Sequence, residues 1–235
     1  MAWHMGPLLG FDTETTGVDV FTDRVVTAAT VLTENGSDEV TTWLINPGVE
    51  IPAGAAAVHG ITTEHATSHG RAPREALWEI SQRLRDAMAN NIPVVGFNVA
   101  FDLTLLESEL ARHGLPTLAA QLGRPLAPII DPLVLDRGLD RYRRGKRTLE
   151  FLCAHYDVAA GALHDAGEDV RATLGVLGAI AGRYADIVSM TLEDLHTWQV
   201  SKHREWAESF NSWRQTKGFT GPGASPHWPV QLAES

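Results

Sequence analysis

Along this chain the spacing of apolar positions changes several times, and each change marks an element. Residues 7 to 12 run apolar and end on an acid, and "RVVTAATVLT" (24–33) and "EVTTWLINP" (39–47) repeat the β-branched content, with turn residues between. Three strands in a meander are predicted. The stretch 45–66, rich in proline, glycine and threonine, reads as an ordered loop leading into a short helix. From residue 74 the period becomes helical: Leu77, Ile80, Leu84 and Met88 fall on one face of a helix over 74–90.

"IPVVGFN" (92–98) then reads as a short buried strand and "AFDLTLLESELARHG" (100–114) as a helix closed by a glycine. "PII" (128–130) is a strand running into Asp131-Pro132, a helix start in which Asp131 caps rather than ligates. A short helix over 148–156 follows. A long one over 165–188 has Asp165 as N-cap, Glu168 completing a capping box, and Val170, Leu174, Leu177, Ala181 and Tyr184 on one face. Strands first, then helices interleaved with strands, predict an α/β protein with a mixed sheet flanked by helices.

From about residue 190, Leu192, Leu195, Trp198 or Gln199, Lys202, Trp206, Phe210 and Trp213 recur every three or four positions, the mark of one amphipathic helix. The chain therefore divides into a main domain (1–186), a C-terminal helical extension (187–217) and a proline- and glycine-rich tail (218–235) expected to be flexible. The tryptophan-bearing helix is expected to fold back onto the main domain, and its alternative use is to meet a partner, either a second copy or a polymerase.

Composition narrows the function classes. The chain has 235 residues, 44% of them hydrophobic, enough for one sizeable core. One cysteine, Cys153, excludes a disulfide scaffold and a four-cysteine zinc site and fits a reducing compartment, so a cytoplasmic setting is expected. No apolar run approaches ~20 residues and the N-terminus lacks a basic flank, so no membrane or export segment is expected. A net charge of −10 argues against bulk coating of nucleic acid. The charge is uneven, however: residues 1–50 hold eight acids and one arginine, whereas "RGLDRYRRGKR" (137–147) holds six basic residues and one acid. Arg143, Arg144, Lys146 and Arg147 of that strip are candidates for phosphate contacts.

Charge also marks the candidate chemistry. "LLGFDTETTG" (8–17) ends an apolar strand on Asp12 and Glu14, which alternation puts on one face, where they repel unless a cation lies between them. Two more acidic segments sit at element ends: "NVAFD" with Asn98 and Asp102, and "HDAGED" with His164 and Asp169. Phosphodiester hydrolysis needs a hydroxide delivered to an anionic phosphorus and a stabilised leaving alkoxide, which two divalent ions ~3.5–4 Å apart provide. Four carboxylates match two Mg²⁺ ions in charge, and a histidine with a pKa near ~6.5 suits the proton of the attacking water.

These three segments, in this order, resemble the three motifs of the DEDDh (DnaQ-like) 3′–5′ exonucleases, over roughly residues 7–185. "VHGIT" (58–62) is similar to a segment of the branch typified by the proofreading epsilon subunit of bacterial DNA polymerase III. The resemblance implies a ribonuclease-H-like sheet, two Mg²⁺ ions for which Mn²⁺ can substitute, and release of 5′-mononucleotides from a DNA strand with a free 3′ end. It further implies metal ligation by Asp12, Glu14, Asp102 and Asp169, with Asp12 bridging the ions and His164 as general base. Substrate contacts are expected from Thr15, Gly17, His59, Asn98 and Phe101 besides Arg143, Arg144 and Arg147. For His59 and Phe101, packing is the competing use. One departure is Phe97, where many relatives carry histidine; it bears on substrate contacts rather than on metal ligation. Proofreading or repair is the implied role. The rivals are an exoribonuclease of small RNAs or tRNA ends and a catalytically silent nucleic-acid-binding or polymerase-tethering subunit.

Overall fold

The computed structural model describes residues 2–159, 161 and 166–232. The expected base His164 and the expected cap Asp165 lie outside the described residues. Five strands form one sheet in the order β3-β2-β1-β4-β5: β1 (Leu8–Thr15), β2 (Val25–Glu34), β3 (Ser37–Leu44), β4 (Val94–Val95) and β5 (Ile129–Ile130). β1 pairs antiparallel with β2 and β2 with β3, whereas β4 and β5 run parallel to β1, so the sheet is mixed as the element order predicts. Parallel β1, β4 and β5 all deliver the residues after their last pairs to one edge of the sheet.

The helices are α1 (Ala53–His59), α2 (Thr63–His69), α3 (Pro73–Ala89), α4 (Ala100–Arg112), α5 (Leu118–Leu122), α6 (Pro132–Leu139), α7 (Leu149–His155), α8 (Ala166–Arg183), α9 (Ala185–Val188) and α10 (Leu192–Thr216). Where one short helix is expected in 45–66, two form, each closed by a glycine, Gly60 in the left-handed conformation (φ 76°) and Gly70. The helix expected over 165–188 breaks at Tyr184, whose extended backbone (φ −122°) caps α9.

Alternation along β1 decides which side of the sheet each residue serves. Leu9 and Phe11 join the larger core with Leu77, Ile80, Leu84 and Met88 of α3 and Leu103, Leu106 and Leu110 of α4. Leu8 faces the other way, into a core with Leu152 and Cys153 of α7, Val176, Leu177 and Ile180 of α8, and Leu195 of α10. Cys153 is thus a packed apolar residue, 1% exposed.

α10 folds back onto α6 and β5 rather than standing away from the domain. Gly138 of α6 permits the contact, because a Cβ there would come within 2.4 Å of the Trp198 ring. Residues 218–232 depart from the expected flexible tail and lie along the molecule. Trp228 is 6% exposed in the larger core, the Gln231 N–H donates to Thr104 Oγ1 at 2.9 Å, and Asn211 of α10 exchanges hydrogen bonds with Ala224. One buried indole and these backbone anchors outweigh the bias of the prolines and glycines toward disorder.

Candidate metal centre

The end of β1 is built from two opposite demands on neighbouring residues. Asp12 and Glu14 share the face of β1 that α8 covers, and Asp169 in the first turn of α8 comes to meet them. One carboxylate oxygen from each of the three lies within 4.8 Å of the others, and all three side chains are half-buried. Oxygens around one hard divalent cation at ~2.1–2.5 Å lie about that close together, so the donor set fits Mg²⁺ or Mn²⁺ in both chemistry and spacing.

Gly10 makes this meeting of strand and helix possible. It lies on the same face of β1 as Asp12 and Glu14, and a Cβ on it would fall 2.3 Å from Val170 Cγ1 and 3.1 Å from Leu174 Cδ1. Across the ladder Gly10 pairs with Val31 and Asp12 with Ala29. Ala29, Val31, Ala166 and Val170 form a small core beneath the first turns of α8. A bare strand position and a small cross-strand neighbour let the helix approach closely enough to set Asp169 beside the strand's acids.

Asp102 reaches the site from the opposite side of the sheet and stands outside the three-carboxylate group. Thr13, between the two acids and pointing the other way, donates to Asp102 Oδ1 through both its N–H (3.1 Å) and its hydroxyl (2.6 Å). Asp102 is 4% exposed. Burial holds its carboxyl well above the usual carboxylate range and Asp131 adds to the shift, while the bonds from Thr13 oppose it. A divalent cation nearby would reverse that direction by favouring the ionised form.

Asp131 is a cap, as expected, and does more than cap. Its Oδ1 accepts the Leu133 N–H at 2.9 Å at the start of α6, and its two oxygens accept the N–H groups of Asn98 (3.1 Å) and Val99 (3.0 Å). Those two residues form the turn that launches α4, with Asn98 at φ 56°. Asp131 therefore ties the end of β5 to the turn that positions Asp102. The Asp131 N–H is in turn accepted by Gln199 Oε1 of α10 at 2.7 Å, while Gln199 Nε2 donates to the Ile129 carbonyl at 3.0 Å.

The remaining site candidates fall into different surroundings. The Thr15 hydroxyl donates to the Gly17 carbonyl at 2.6 Å, and Gly17 is packed so tightly on Asp23 that a Cβ would lie 2.5 Å from its carboxylate. His59 closes α1 with Nδ1 accepting the Ile61 N–H at 3.1 Å. Burial pushes its imidazole pKa down, against the pull of the Thr15 carbonyl at the end of β1. Phe101 is half-buried against the larger core. Arg143 and Arg147 are both drawn to the fully buried Asp136, Arg143 Nη2 at 2.7 Å, and Arg147 also donates to the Asp136 and Asp140 carbonyls that close α6. Arg144 is exposed.

Gly10, Thr13 and Gln199 carry much of this geometry, and sequence reasoning missed all three as site residues. The alternation that joins Asp12 to Glu14 also reaches Gly10, so that signal was available. Nothing in the spacing marks Thr13 or Gln199 as the partner of a distant acid.

A mixed sheet sandwiched between helices, with carboxylates gathered where its central strand ends, defines a ribonuclease-H-like α/β domain with an acidic group suited to a divalent cation. Exonuclease I of E. coli in complex with a dT13 oligonucleotide has the same fold. Its TM-score is 0.63 at 20% identity, over 77% of this chain and 42% of that one. The chain belongs to the RNase_T exonuclease family, whose model matches residues 9–177. The PolC-type DNA polymerase III of Lacticaseibacillus paracasei is 30% identical over 183 residues, covering 77% of this chain and 12% of that protein. An epsilon-like DNA polymerase III subunit protein of Rhodobacter capsulatus is 40% identical over 100 residues, 41% of this chain and 13% of that protein. The chain thus spans about an eighth of the length of these relatives. Among the described residues no helix is long and apolar enough to cross a membrane.

Proposed function

We propose that this protein is a divalent-metal-dependent 3′–5′ exonuclease that removes 5′-mononucleotides from the 3′ end of DNA, in proofreading or repair. The observation that carries the reading is the group Asp12, Glu14 and Asp169, with oxygens within 4.8 Å of one another, in a chain of an exonuclease family. Relatives named as DNA polymerase III proteins favour DNA over RNA and make a polymerase a fitting partner. The exposed aromatics Trp213 and Phe219 at the far end of α10 are the surface we assign to such a partner.

Asp12, Glu14 and Asp169 would hold the first metal ion, with Asp12 shared and Asp102 holding the second directly or through water. When bound, the two Mg²⁺ ions supply a water of lowered pKa and positive charge at the reacting phosphate. Everything else falls to the chain's own side chains. His164 accepts the proton of the attacking water, a task that suits an imidazole. Thr13 fixes one oxygen of Asp102 and leaves the other to turn toward metal or water. His59, whose imidazole pKa burial pushes down against the pull of the Thr15 carbonyl, and Asn98 at the start of the α4 turn contact the terminal nucleotide, with Phe101 beneath it. Arg144 meets a phosphate directly, whereas Arg143 and Arg147 present to one only the donors that Asp136 leaves over.

The test is the shortening of a 5′-labelled single strand in Mg²⁺. Wild-type protein is expected to produce a ladder shrinking from the 3′ end, with 5′-mononucleotides as the small product, faster on DNA than on a matched RNA. Asp12→Ala, still folded by circular dichroism, is expected to cut at least about 10³-fold more slowly, as loss of a metal ligand demands. Near-wild-type cleavage by Asp12→Ala would refute the assignment. A wild-type protein that binds the strand and never cuts it would favour the silent-subunit alternative, and preference for the RNA strand the exoribonuclease.

A further inference from the structure

A second polar site lies between the C-terminal half of α6, the loop after it and the face of α10 that meets α6. It is a cavity of about 260 Å³ whose lining includes Arg137, Arg141, Arg143, Arg147, Lys202 and Trp206. The acid in the lining is Glu205, which Lys202 Nζ holds at 2.9 Å. Counting Asp136 behind the wall, cations outnumber carboxylates five to two. The wall is fixed by helix packing, since Gly138 in the lining is pressed against Trp198 and Lys202 of α10.

The donors of this cavity exceed its acceptors. The Arg137 guanidinium carbon lies over Trp206, 3.6 Å from the ring centroid, and among the described residues the side chain has neither a hydrogen bond nor an ion pair. Burial pulls its pKa down to about 10 against the attraction of Asp131 and Asp136, so the cation is held where water solvates it poorly. Arg143 Nε is buried and lacks a hydrogen-bond partner among the described residues. Guanidinium groups arranged this way suit the oxygens of a phosphate.

One feature favours a strand over a free ion. Outward from the cavity the positive charge continues through exposed Arg141, Arg144 and Lys146, beside Tyr142, which is 87% exposed. Cations alternating with an open aromatic face are what a single strand's phosphates and bases require.

We propose that this cavity binds a backbone phosphate of the nucleic-acid strand, on the segment leading away from the 3′-terminal nucleotide; the inference rests on the exonuclease reading. It places Arg137, Arg141, Lys202 and Trp206 in substrate recognition and leaves Arg143 and Arg147 as its supporting wall.

The experiment is anisotropy titration of a fluorescein-labelled dT20 strand with the full chain in EDTA, wild type against Arg141→Glu/Lys202→Glu. Both positions lie on the open side of the cavity, and the melting temperature of the variant verifies its fold. The expected result is binding weakened about tenfold or more at 50 mM salt, with the slope of log affinity on log salt shallower by about 1.4, two contacts at ~0.7 each. Equal affinity and equal slope would overturn the proposal. So would inorganic phosphate raising the melting temperature of wild type alone while dT20 binds both proteins equally, since that result would leave a site for free phosphate. Failure of the exonuclease reading shows elsewhere, as wild-type protein that binds dT20 and does not shorten it once Mg²⁺ replaces EDTA.

Discussion

Gly10 decides how near α8 can come to β1, and through that distance whether Asp169 can share a cation with Asp12 and Glu14. An added Cβ would sit 2.3 Å from Val170 Cγ1, with Val170 1% exposed and unable to swing aside. Gly10→Ala is therefore expected to cost about 1–3 kcal/mol by overpacking in chemical denaturation, and to weaken divalent-metal affinity as well. Unchanged metal binding in this variant would mean that α8 has slack that the packing does not show. At this scale the sequence speaks clearly where chemistry and alternation coincide. Asp12 and Glu14 are two apart on one strand and can be paired on sight. Asp102 is different: its anchor is Thr13, on the reverse face of the same strand, and only the fold puts α4 there. Asp131 reads as a cap from the proline after it, yet its grip on the Asn98–Val99 turn depends on β4 and β5 lying side by side, which no local signal contains.

The elements show a matching division. α3 follows from its period, because Leu77, Ile80, Leu84 and Met88 repeat along one face and all of them are buried. β4 and β5 are two paired residues each, too short for a period to express itself, and are legible only as β-branched runs between turns. α10 is the instructive case. Its apolar stripe predicts a packed helix, but the position shared between Trp198 and Gln199 turns out to hold both. Trp198 packs against the smaller core, and Gln199 is a fully buried amide that accepts from the Asp131 N–H and donates to the Ile129 carbonyl. A buried backbone N–H left without its acceptor is costly. Gln199→Leu keeps the apolar bulk and removes both bonds, so it is expected to lose about 2 kcal/mol in equilibrium unfolding. A neutral or stabilising outcome would show that apolar contact alone holds α10 in place. The tail makes the same point in reverse: its prolines and glycines read as freedom, while the Trp228 indole and the hydrogen bonds of Ala224 and Gln231 dock it.

Across the whole molecule, charge is sorted by place rather than by sum. A chain of net −10 keeps acids at the end of β1 and a cationic wall between α6 and α10. Half-buried carboxylates this close repel one another, and the fold bears that cost at the one edge of the sheet to which β1, β4 and β5 all deliver their ends. Cations that bind the folded chain and not the unfolded one add stability that grows with the logarithm of their concentration above the dissociation constant. The most direct measurement is thus the melting temperature of wild type and Asp12→Ala in EDTA and in saturating Mg²⁺ or Mn²⁺. Wild type is expected to rise by about 5 °C or more at a hundredfold excess over the dissociation constant, and Asp12→Ala by far less. A wild-type melting temperature indifferent to metal, or a rise that Asp12→Ala shares in full, would contradict the assignment of Asp12, Glu14 and Asp169 as a metal centre.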